Sequence, residues 1–284
     1  FNAPEMHERL NAQTTMDRYP IVNSKELIGS YVYSDGYMDD DRLVHETLRA
    51  ANENGAVCVN YTKIDSGHST NGKLDALNVT DLKSNQKFAI KAKHIISTVG
   101  PWTDLVGENL VQKWKKILRP TKGIHLTFLK EKLNLESAVV MAAEKSDRIV
   151  FAIPRHEMII VGTTDTDFKD HPENVSVTAE DVEYLLKITN QYFPGAHLTA
   201  KDIVSSYAGV RPLVQDDSAS EGKTSREHTI MHDPSGITFV AGGKYTTFRV
   251  MGREITQKIC HRFHLSFNPD KTETPLRRPS VIEP

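Results

Sequence analysis

The fold is decided by the stretch Gly242-Gly243-Lys244-Tyr245-Thr246-Thr247-Phe248-Arg249, residues 242–249. The apolar residues 237–241 come before it and predict a short buried strand. Residues 250–259 follow it, with apolar positions at helical spacing, and predict a helix. A strand, a Gly-Gly turn and a helix start form a site for an anion or a polar ring, because glycines admit a ligand close to the backbone and the first helical turn presents unpaired N–H groups.

The side chains of this turn add chemistry to the backbone. Lys244 supplies a cation, and Thr246 and Thr247 supply hydroxyls, so we interpret the turn as a ligand site. The alternative is a tight strand-to-helix connection with a solvated lysine.

Composition limits the class of protein. The chain has 284 residues, of which 38% are hydrophobic and 25% charged, as in an ordinary soluble protein with one large or two smaller domains. A net charge of -2 gives no electrostatic case for binding nucleic acid. The two cysteines, Cys58 and Cys260, argue against a disulfide scaffold and a zinc site. We therefore expect no metal, and a soluble or at most peripheral protein.

The first part of the chain has the pattern of an α/β layer. Asp39-Asp40-Asp41 precedes apolar positions at helical spacing and Gly55 follows them, which predicts a helix over 42–54. Residues 57–62 predict the next strand. Earlier in the chain, residues 6–16 predict a helix and residues 27–33 a strand.

A second strand-to-turn junction lies at residues 95–102. Residues 95–99 predict a buried strand, and Gly100-Pro101 ends it before a short helix over 103–107. In an α/β sheet, a glycine at the carboxyl end of a strand lets the backbone lie against a ligand. The alternative is that Gly100 and Pro101 only turn the chain and that Trp102 packs in the core.

From residue 117 the pattern changes to alternating strands. Residues 120–128 alternate, with His125 on the opposite face from Ile124, Leu126 and Phe128. Further strands are predicted at 138–142, 148–153 and 158–161, and a helix after the cap at 176–181. This succession predicts a mostly antiparallel sheet.

The strand predicted at 203–210 leads to Arg211-Pro212-Leu213. Proline removes a ladder donor, so we expect the strand to end at Arg211. An arginine at a strand end is suited to bind a phosphate or carboxylate. The alternative is an ion pair with Asp216 or Asp217.

Taken together, these segments resemble the FAD-dependent glycerol-3-phosphate dehydrogenases of the glycine-oxidase-like flavoprotein superfamily. The resemblance covers most of residues 28–264, in the family's order. It implies an α/β (α+β) fold, in which the remainder of a Rossmann-like FAD-binding domain joins an antiparallel-sheet substrate domain. The implied divisions are a partial FAD domain at 1–116, the substrate domain at 117–228, a returning FAD-domain strand and helix at 229–264, and a tail at 265–284.

The family's G-x-G-x-x-G turn, which seats the pyrophosphate on a helix N-terminus, is absent from these 284 residues. The resemblance therefore implies an internal fragment of a longer enzyme. One alternative is a non-catalytic fragment that binds phosphate without redox chemistry. Another is an amine or amino-acid oxidase of the same superfamily.

The activity that the resemblance implies is oxidation of sn-glycerol 3-phosphate to dihydroxyacetone phosphate with FAD as cofactor. Electrons would pass to a quinone or to oxygen. The expected location is the cytoplasm, with peripheral contact at the inner face of the cell membrane; the oligomeric state stays open.

The resemblance also assigns roles to residues. His125 is the proposed base, the alternative being a polar residue on a sheet face. Arg211 and Arg226 would bind the substrate phosphate, and Lys244 and Thr246 would contact substrate or flavin oxygens. The catalytic set is thus His125, Arg211 and Lys244. The residues assigned to the flavin are Thr98, Gly100, Trp102, Gly242, Gly243, Lys244, Tyr245, Thr246 and Thr247.

Overall fold

Each of two structural units is built from two separate stretches of the chain. The computed structural model describes residues 7–143, 148–215, 227–273 and 275–276. Unit 1 contains Phe1–Gly36 and Arg119–Arg211, and unit 2 contains Tyr37–Leu118 and Pro212–Pro284. These units are defined by geometry alone, so the division into flavin and substrate domains stays a prediction.

The elements of the described residues have the following bounds. The helices are α1 (Ala12–Arg18), α2 (Asp40–Glu53), α3 (Thr103–Leu110), α4 (Lys130–Leu133), α5 (Ala179–Tyr192) and α6 (Phe248–Arg262). The strands are β1 (Glu8–Asn11), β2 (Gly29–Val32), β3 (Thr62–Thr70), β4 (Lys73–Asp81), β5 (Lys87–Lys91), β6 (Ile95–Ser97), β7 (Leu118–Leu129), β8 (Val139–Ala142), β9 (Ile149–Arg155), β10 (Met158–Gly162), β11 (Thr166–Asp167), β12 (Ile203–Val214), β13 (His228–His232) and β14 (Ile237–Gly242).

The main sheet of unit 1 has the strand order β11-β7-β10-β9-β8, and β12 also pairs with β7. The pairs of β10 with β7 and with β9, of β11 with β7, and of β8 with β9 are all antiparallel. The prediction of a mostly antiparallel sheet is therefore confirmed.

Strand β7 has an apolar face and a polar face. The side chains of Ile124, Leu126 and Phe128 are fully buried and belong to the core that also contains Leu185 of α5. Successive residues of a strand point to opposite faces, so His125 lies on the other side of the sheet, as predicted. The apolar face of the sheet packs against α5, and the opposite face carries His125.

A buried ion pair attaches α5 to this sheet. Lys122 on β7 donates through Nζ to Asp181 Oδ2 at 2.5 Å and to the Ser176 carbonyl at 3.3 Å. Asp181 also accepts from the backbone N–H and the hydroxyl of Thr178, each at 3.0 Å, in the capping box of α5. The side chains of Lys122 and Asp181 are only 11% and 5% exposed, so each charge depends on its partner.

Replacing Lys122 with methionine is expected to lower the free energy of unfolding by about 3–5 kcal/mol, because it leaves Asp181 as an uncompensated buried charge. Urea unfolding followed by circular dichroism measures the change. The double variant Lys122→Met/Asp181→Asn should recover part of the loss. Lys116→Met, which breaks an exposed pair with Glu108, serves as the control and should unfold like the wild type. A Lys122→Met midpoint equal to the control's would contradict this role.

Unit 2 contains a sheet of order β13-β14-β6. Strand β14 runs parallel to β6, with Ile237 opposite Ile95, and antiparallel to β13. Ile237 and Phe239 are buried together with Ile95 and Leu110. Because β6 and β14 are parallel neighbours, their carboxyl ends lie at the same edge of the sheet. A separate sheet of this unit has the order β3-β4-β5.

Three of the predicted elements are wrong. Residues 57–61 form no strand, and Val57 and Val59 are exposed. Residues 6–16 are not one helix: β1 occupies Glu8–Asn11, and α1 begins after Asn11, whose side chain accepts from the Thr14 N–H. The strand that carries Arg211 does not end there but continues to Val214. Proline is tolerated at such a position where its missing N–H faces away from a paired neighbour.

Candidate functional site

The polar face of the unit 1 sheet brings His125 and Arg211 together. The His125 imidazole stacks on the Tyr207 ring of β12, with ring centroids 4.8 Å apart and planes at 14°. Gly162 pairs with His125 across β10 and β7, and a Cβ at Gly162 would lie 2.3 Å from the imidazole Cδ2. The imidazole therefore lies between an aromatic ring and bare backbone, which restricts its rotation.

Arg211 lies over a second glycine of the same face. A Cβ at Gly123 would be 2.2 Å from Arg211 Nη2, so the guanidinium covers the backbone there. Nη2 donates to Thr163 Oγ1 at 2.7 Å, and Nη1 is 3.5 Å from Asp165 Oδ1. The predicted alternative partners of Arg211, Asp216 and Asp217, lie outside the described residues.

Electrostatics make His125 a suitable base. Burial lowers the pKa of His125, and the positive charge of Arg211 lowers it further. A lowered pKa keeps the imidazole unprotonated at neutral pH, which is the form that accepts a proton. The same arginine is suited to a phosphate or carboxylate. This face can therefore bind an anion and take a proton.

The predicted Gly-Gly turn lies in unit 2, between the end of β14 and the start of α6. Gly242 and Gly243 adopt φ of +73° and +82°, which favours glycine. A Cβ at Gly242 would be 2.7 Å from the Glu227 carbonyl oxygen, and one at Gly243 would be 2.7 Å from Met251 Sδ. Both positions thus favour glycine for conformation, and Gly242 needs it for space as well, because its neighbour is backbone.

The side chains after these glycines face solvent at the start of α6. Lys244, Thr246 and Thr247 are exposed, and Thr247 donates to the Lys244 carbonyl at 2.8 Å. The Tyr245 hydroxyl donates to the Asp40 carbonyl at 3.2 Å. A 3₁₀ turn at Tyr245–Thr247 leads directly into α6, and the Phe248 N–H donates to the Tyr245 carbonyl. No acidic residue lies in the first turn of α6, so this end of the helix suits a polar or anionic ligand.

The carboxyl end of β6 carries the other residues predicted for the flavin. Gly100 has φ +55° and begins the turn into α3, while Thr98 and Trp102 are exposed. The Ser97 hydroxyl is buried and has no hydrogen-bond partner among the described residues. A buried polar group of this kind needs a partner, which a polar ligand at the strand end can supply.

Strand β12 connects the two glycine positions of unit 2. Its Pro212 Cγ is 4.0 Å from the site of a Cβ at Gly100, and its Val214 Cγ2 is 3.0 Å from one at Gly242. The segment after Arg211, predicted as the end of a strand, thus contacts both turns.

Replacing Gly243 with alanine is expected to lower the free energy of unfolding by about 1–2 kcal/mol, because alanine is strained at positive φ and its Cβ meets Met251. Urea unfolding gives the change, and the same samples show whether added FAD is retained. Gly252→Ala is a matched control on α6, since nothing lies within 4 Å of its Cβ, and it should be neutral or stabilising. Equal losses in both variants would contradict the importance of the turn.

The predicted site residues that the structure describes therefore fall into two groups, one in each unit. His125 and Arg211 lie in unit 1, and the residues assigned to the flavin, including Lys244, lie in unit 2. Arg226 lies outside the described residues. No group of three or more His, Cys, Asp or Glu side chains in the described part of the chain is arranged to hold a metal ion.

Sequence reasoning missed the residues that surround His125 and Arg211. Gly123 lies two positions before His125, and Tyr207 lies four before Arg211, so strand alternation alone places each pair on one face. Thr163 and Asp165 directly follow the strand predicted at 158–161, and no role was assigned to them from the sequence. Strand alternation could have identified Gly123 and Tyr207. The contacts of Thr163 and Asp165 are known only from the folded chain.

Comparison with known proteins decides the family. Residues 2–256 match the family model described as FAD dependent oxidoreductase. The chain belongs to the FAD-dependent oxidoreductase family. The resemblance inferred from the sequence is thereby confirmed at the level of the family.

Particular members of the FAD-dependent oxidoreductases are similar to this chain. Aerobic glycerol-3-phosphate dehydrogenase of Staphylococcus aureus is 36% identical over 276 residues, covering 95% of this chain and 49% of that protein. The structure of glycerol-3-phosphate dehydrogenase from Bacillus halodurans complexed with FAD matches with a TM-score of 0.82 at 30% identity, over 94% of this chain and 54% of that one. The chain spans about half the length of the curated relatives it matches.

A more distant FAD-dependent oxidoreductase bears on the fold. Glycine oxidase from Bacillus cereus matches with a TM-score of 0.65 at 17% identity, over 99% of this chain and 70% of that one. The predicted glycine-oxidase-like flavoprotein fold is confirmed.

Features of unit 2 fit the cofactor of this family. The features are the Ser97 hydroxyl, which has no partner among the described residues, the backbone at Gly100, Gly242 and Gly243, and the first turn of α6, which carries no acidic residue. They provide polar groups and close approach at strand ends. No helix of the described residues is long and apolar enough to cross a membrane.

Proposed function

We propose that the chain carries out flavin-dependent oxidation of sn-glycerol 3-phosphate to dihydroxyacetone phosphate, as part of a glycerol-3-phosphate dehydrogenase. The observation that carries this proposal is that Arg211 and half-buried His125 lie on one sheet face, where burial and the charge of Arg211 lower the pKa of His125. An anion-binding cation beside a base matches a substrate with a phosphate and a hydroxyl to be oxidised. The similar proteins named as glycerol-3-phosphate dehydrogenases support this choice of substrate.

The residues of unit 2 that would hold FAD are those at the two strand ends. The backbone at Gly100, Gly242 and Gly243 would approach it closely, and Lys244 with the first turn of α6 would face its electron-rich groups. Bound FAD supplies the acceptor for a hydride. Roles for Thr98, Trp102, Tyr245, Thr246 and Thr247 in this contact, and for Lys244 in catalysis, are part of the proposal.

The residues of unit 1 would perform the remaining chemistry on the substrate. Arg211 would bind the phosphate through its guanidinium, and His125 would take the proton of the hydroxyl at the carbon that is oxidised. The C–H bond at that carbon breaks and its electron pair leaves as hydride, while the O–H electrons form the carbonyl bond. Arg226 is proposed as a second phosphate ligand.

The acceptor for the electrons is proposed to be a quinone, with oxygen as the alternative, and contact with a quinone would place the protein at the membrane surface. Oxygen consumption measured beside reduction of a soluble quinone analogue separates the two acceptors.

Activity on defined substrates tests the proposed function. The chain loaded with FAD is incubated with a dye acceptor and either sn-glycerol 3-phosphate or glycine, and the product is identified by mass spectrometry. Formation of dihydroxyacetone phosphate from the first and no turnover of the second supports the proposal. Turnover of glycine alone would replace it with an amino-acid oxidase.

A further inference from the structure

The Arg211 guanidinium is held by neighbours on more than one side within unit 1. Thr163 Oγ1 accepts from Nη2 at 2.7 Å, Asp165 forms an ion pair with Nη1 at 3.5 Å, and the backbone of Gly123 lies beneath the guanidinium. These contacts come from two separate segments, residues 163–165 and Gly123 on β7. An arginine held in this way has less freedom to lose when it binds an anion.

The Thr163 hydroxyl has a defined direction. It donates its hydrogen to the Thr164 carbonyl at 3.1 Å, so an oxygen lone pair is left to accept from Arg211 Nη2. A hydroxyl that donates on one side and accepts on the other is a directional acceptor. Thr163 thereby selects the orientation of the guanidinium as well as its place.

Gly123 provides the space for this orientation. Its φ is outside the positive region, so an alanine there suits the strand, yet its Cβ would be 2.2 Å from Arg211 Nη2 and 2.6 Å from Cζ. The neighbour that an alanine would displace is the end of a long side chain, and the backbone of β7 has no need to move. Alanine at this position therefore tests the place of the arginine without breaking the strand.

Asp165 adds an electrostatic contact of the opposite sign. Its carboxylate lies beside Nη1, and its side chain is 42% exposed, so the pair is partly screened by water. This contact restrains the arginine weakly, while the Thr163 hydrogen bond is shorter and directional.

We propose that Thr163 is a positioning residue for Arg211. Because Gly123 has no side chain, it leaves the space that the guanidinium occupies when it is hydrogen-bonded to Thr163. The effect of this restraint of Arg211 on substrate binding rests on the proposed function, but the restraint itself does not. Neither Thr163 nor Gly123 contacts the reacting atoms in this account, since both act through Arg211.

The restraint is measured without substrate or flavin. In protein labelled with ¹⁵N-arginine, rotation about the Nε–Cζ bond of Arg211 is followed by NMR, with Arg211→Lys identifying its signals. We expect slow rotation, with separate Nη resonances, in the wild type and in Thr163→Ser, and faster rotation in Thr163→Val and Gly123→Ala. Rotation in Thr163→Val as slow as in the wild type would overturn the positioning role.

The consequence for binding is measured by steady-state kinetics on the FAD-loaded chain. Thr163→Val is expected to raise the KM for glycerol 3-phosphate by about tenfold and to change kcat by less than about twofold, with Thr163→Ser restoring KM. An unchanged KM, or an equal fall in kcat, overturns the inference about binding. If the wild type oxidises no glycerol 3-phosphate, the proposed function fails, and the NMR result still decides the positioning role. Should Thr163→Val fail to fold, Gly123→Ala supplies the same comparison.

Discussion

Replacing His125 with asparagine is expected to slow flavin reduction by glycerol 3-phosphate by about 10²–10⁴-fold. Asparagine retains a polar side chain on β7 but accepts no proton at neutral pH, so the loss isolates the base. Stopped-flow absorbance under anaerobic conditions measures the step directly. His156→Asn is a matched control, because His156 is exposed in the turn between β9 and β10 and its positive φ of 52° suits asparagine.

We also expect the rate of flavin reduction to depend on pH through His125, in a defined direction. Burial, and to a lesser extent the charge of Arg211, lower the pKa of His125 from its ordinary value near 6.5. The imidazole therefore stays neutral at pH values below that ordinary pKa. The rate of flavin reduction should therefore fall only at pH below about 6.5. Removing the charge of Arg211 should raise the pKa and move this acid limb to higher pH. A limb that does not move in Arg211→Met would show that the two groups are uncoupled.

Replacing Arg211 with methionine is expected to lower kcat/KM for glycerol 3-phosphate by about 10²-fold, near the lower end of losses seen when one partner of a charge pair is removed. The lower end applies because the Arg211 side chain is 34% exposed and its charge is partly screened. Glycerol lacks the phosphate, so its much slower oxidation, compared at a pH above the acid limb of both proteins, should be almost unaffected by the variant. The two substrates together separate binding of the phosphate from damage to the fold.

A control for this variant comes from the surface of the same unit. Arg18 forms an exposed pair with Glu8 at 3.1 Å, and Arg18→Met should behave like the wild type with both substrates. Equal losses for glycerol and glycerol 3-phosphate in Arg211→Met would mean that Arg211 supports the sheet and does not bind phosphate.

Much of the candidate site could be predicted from the sequence because short patterns determine local geometry. Alternation in β7 placed His125 away from Ile124, Leu126 and Phe128, and the Gly-Gly pair after an apolar run predicted a turn, which the structure forms with both glycines at positive φ. Both features depend on neighbours within a few residues. The helix predicted over 42–54 likewise corresponds to α2, which has two acidic residues in its first turn.

The remaining features depend on partners that are distant in sequence. Residues 57–61 are as apolar as a strand, but a strand forms only where another is available to pair with it, and composition does not show this. The hydrogen bond from Arg211 to Thr163 joins residues 48 positions apart. The stacking of His125 on Tyr207 is equally non-local. Contacts of this kind decide how a side chain is oriented, and no periodicity encodes them.

The proposed function requires this chain to bind FAD and to reduce it with glycerol 3-phosphate. The most direct measurement is the visible absorption spectrum of the purified chain after FAD is added and the unbound part removed, recorded before and after anaerobic addition of glycerol 3-phosphate. A retained flavin spectrum that bleaches with glycerol 3-phosphate, and more slowly in His125→Asn, is the predicted result. A chain that retains no flavin, or a flavin that bleaches only with an amine or amino acid, would contradict the proposed function.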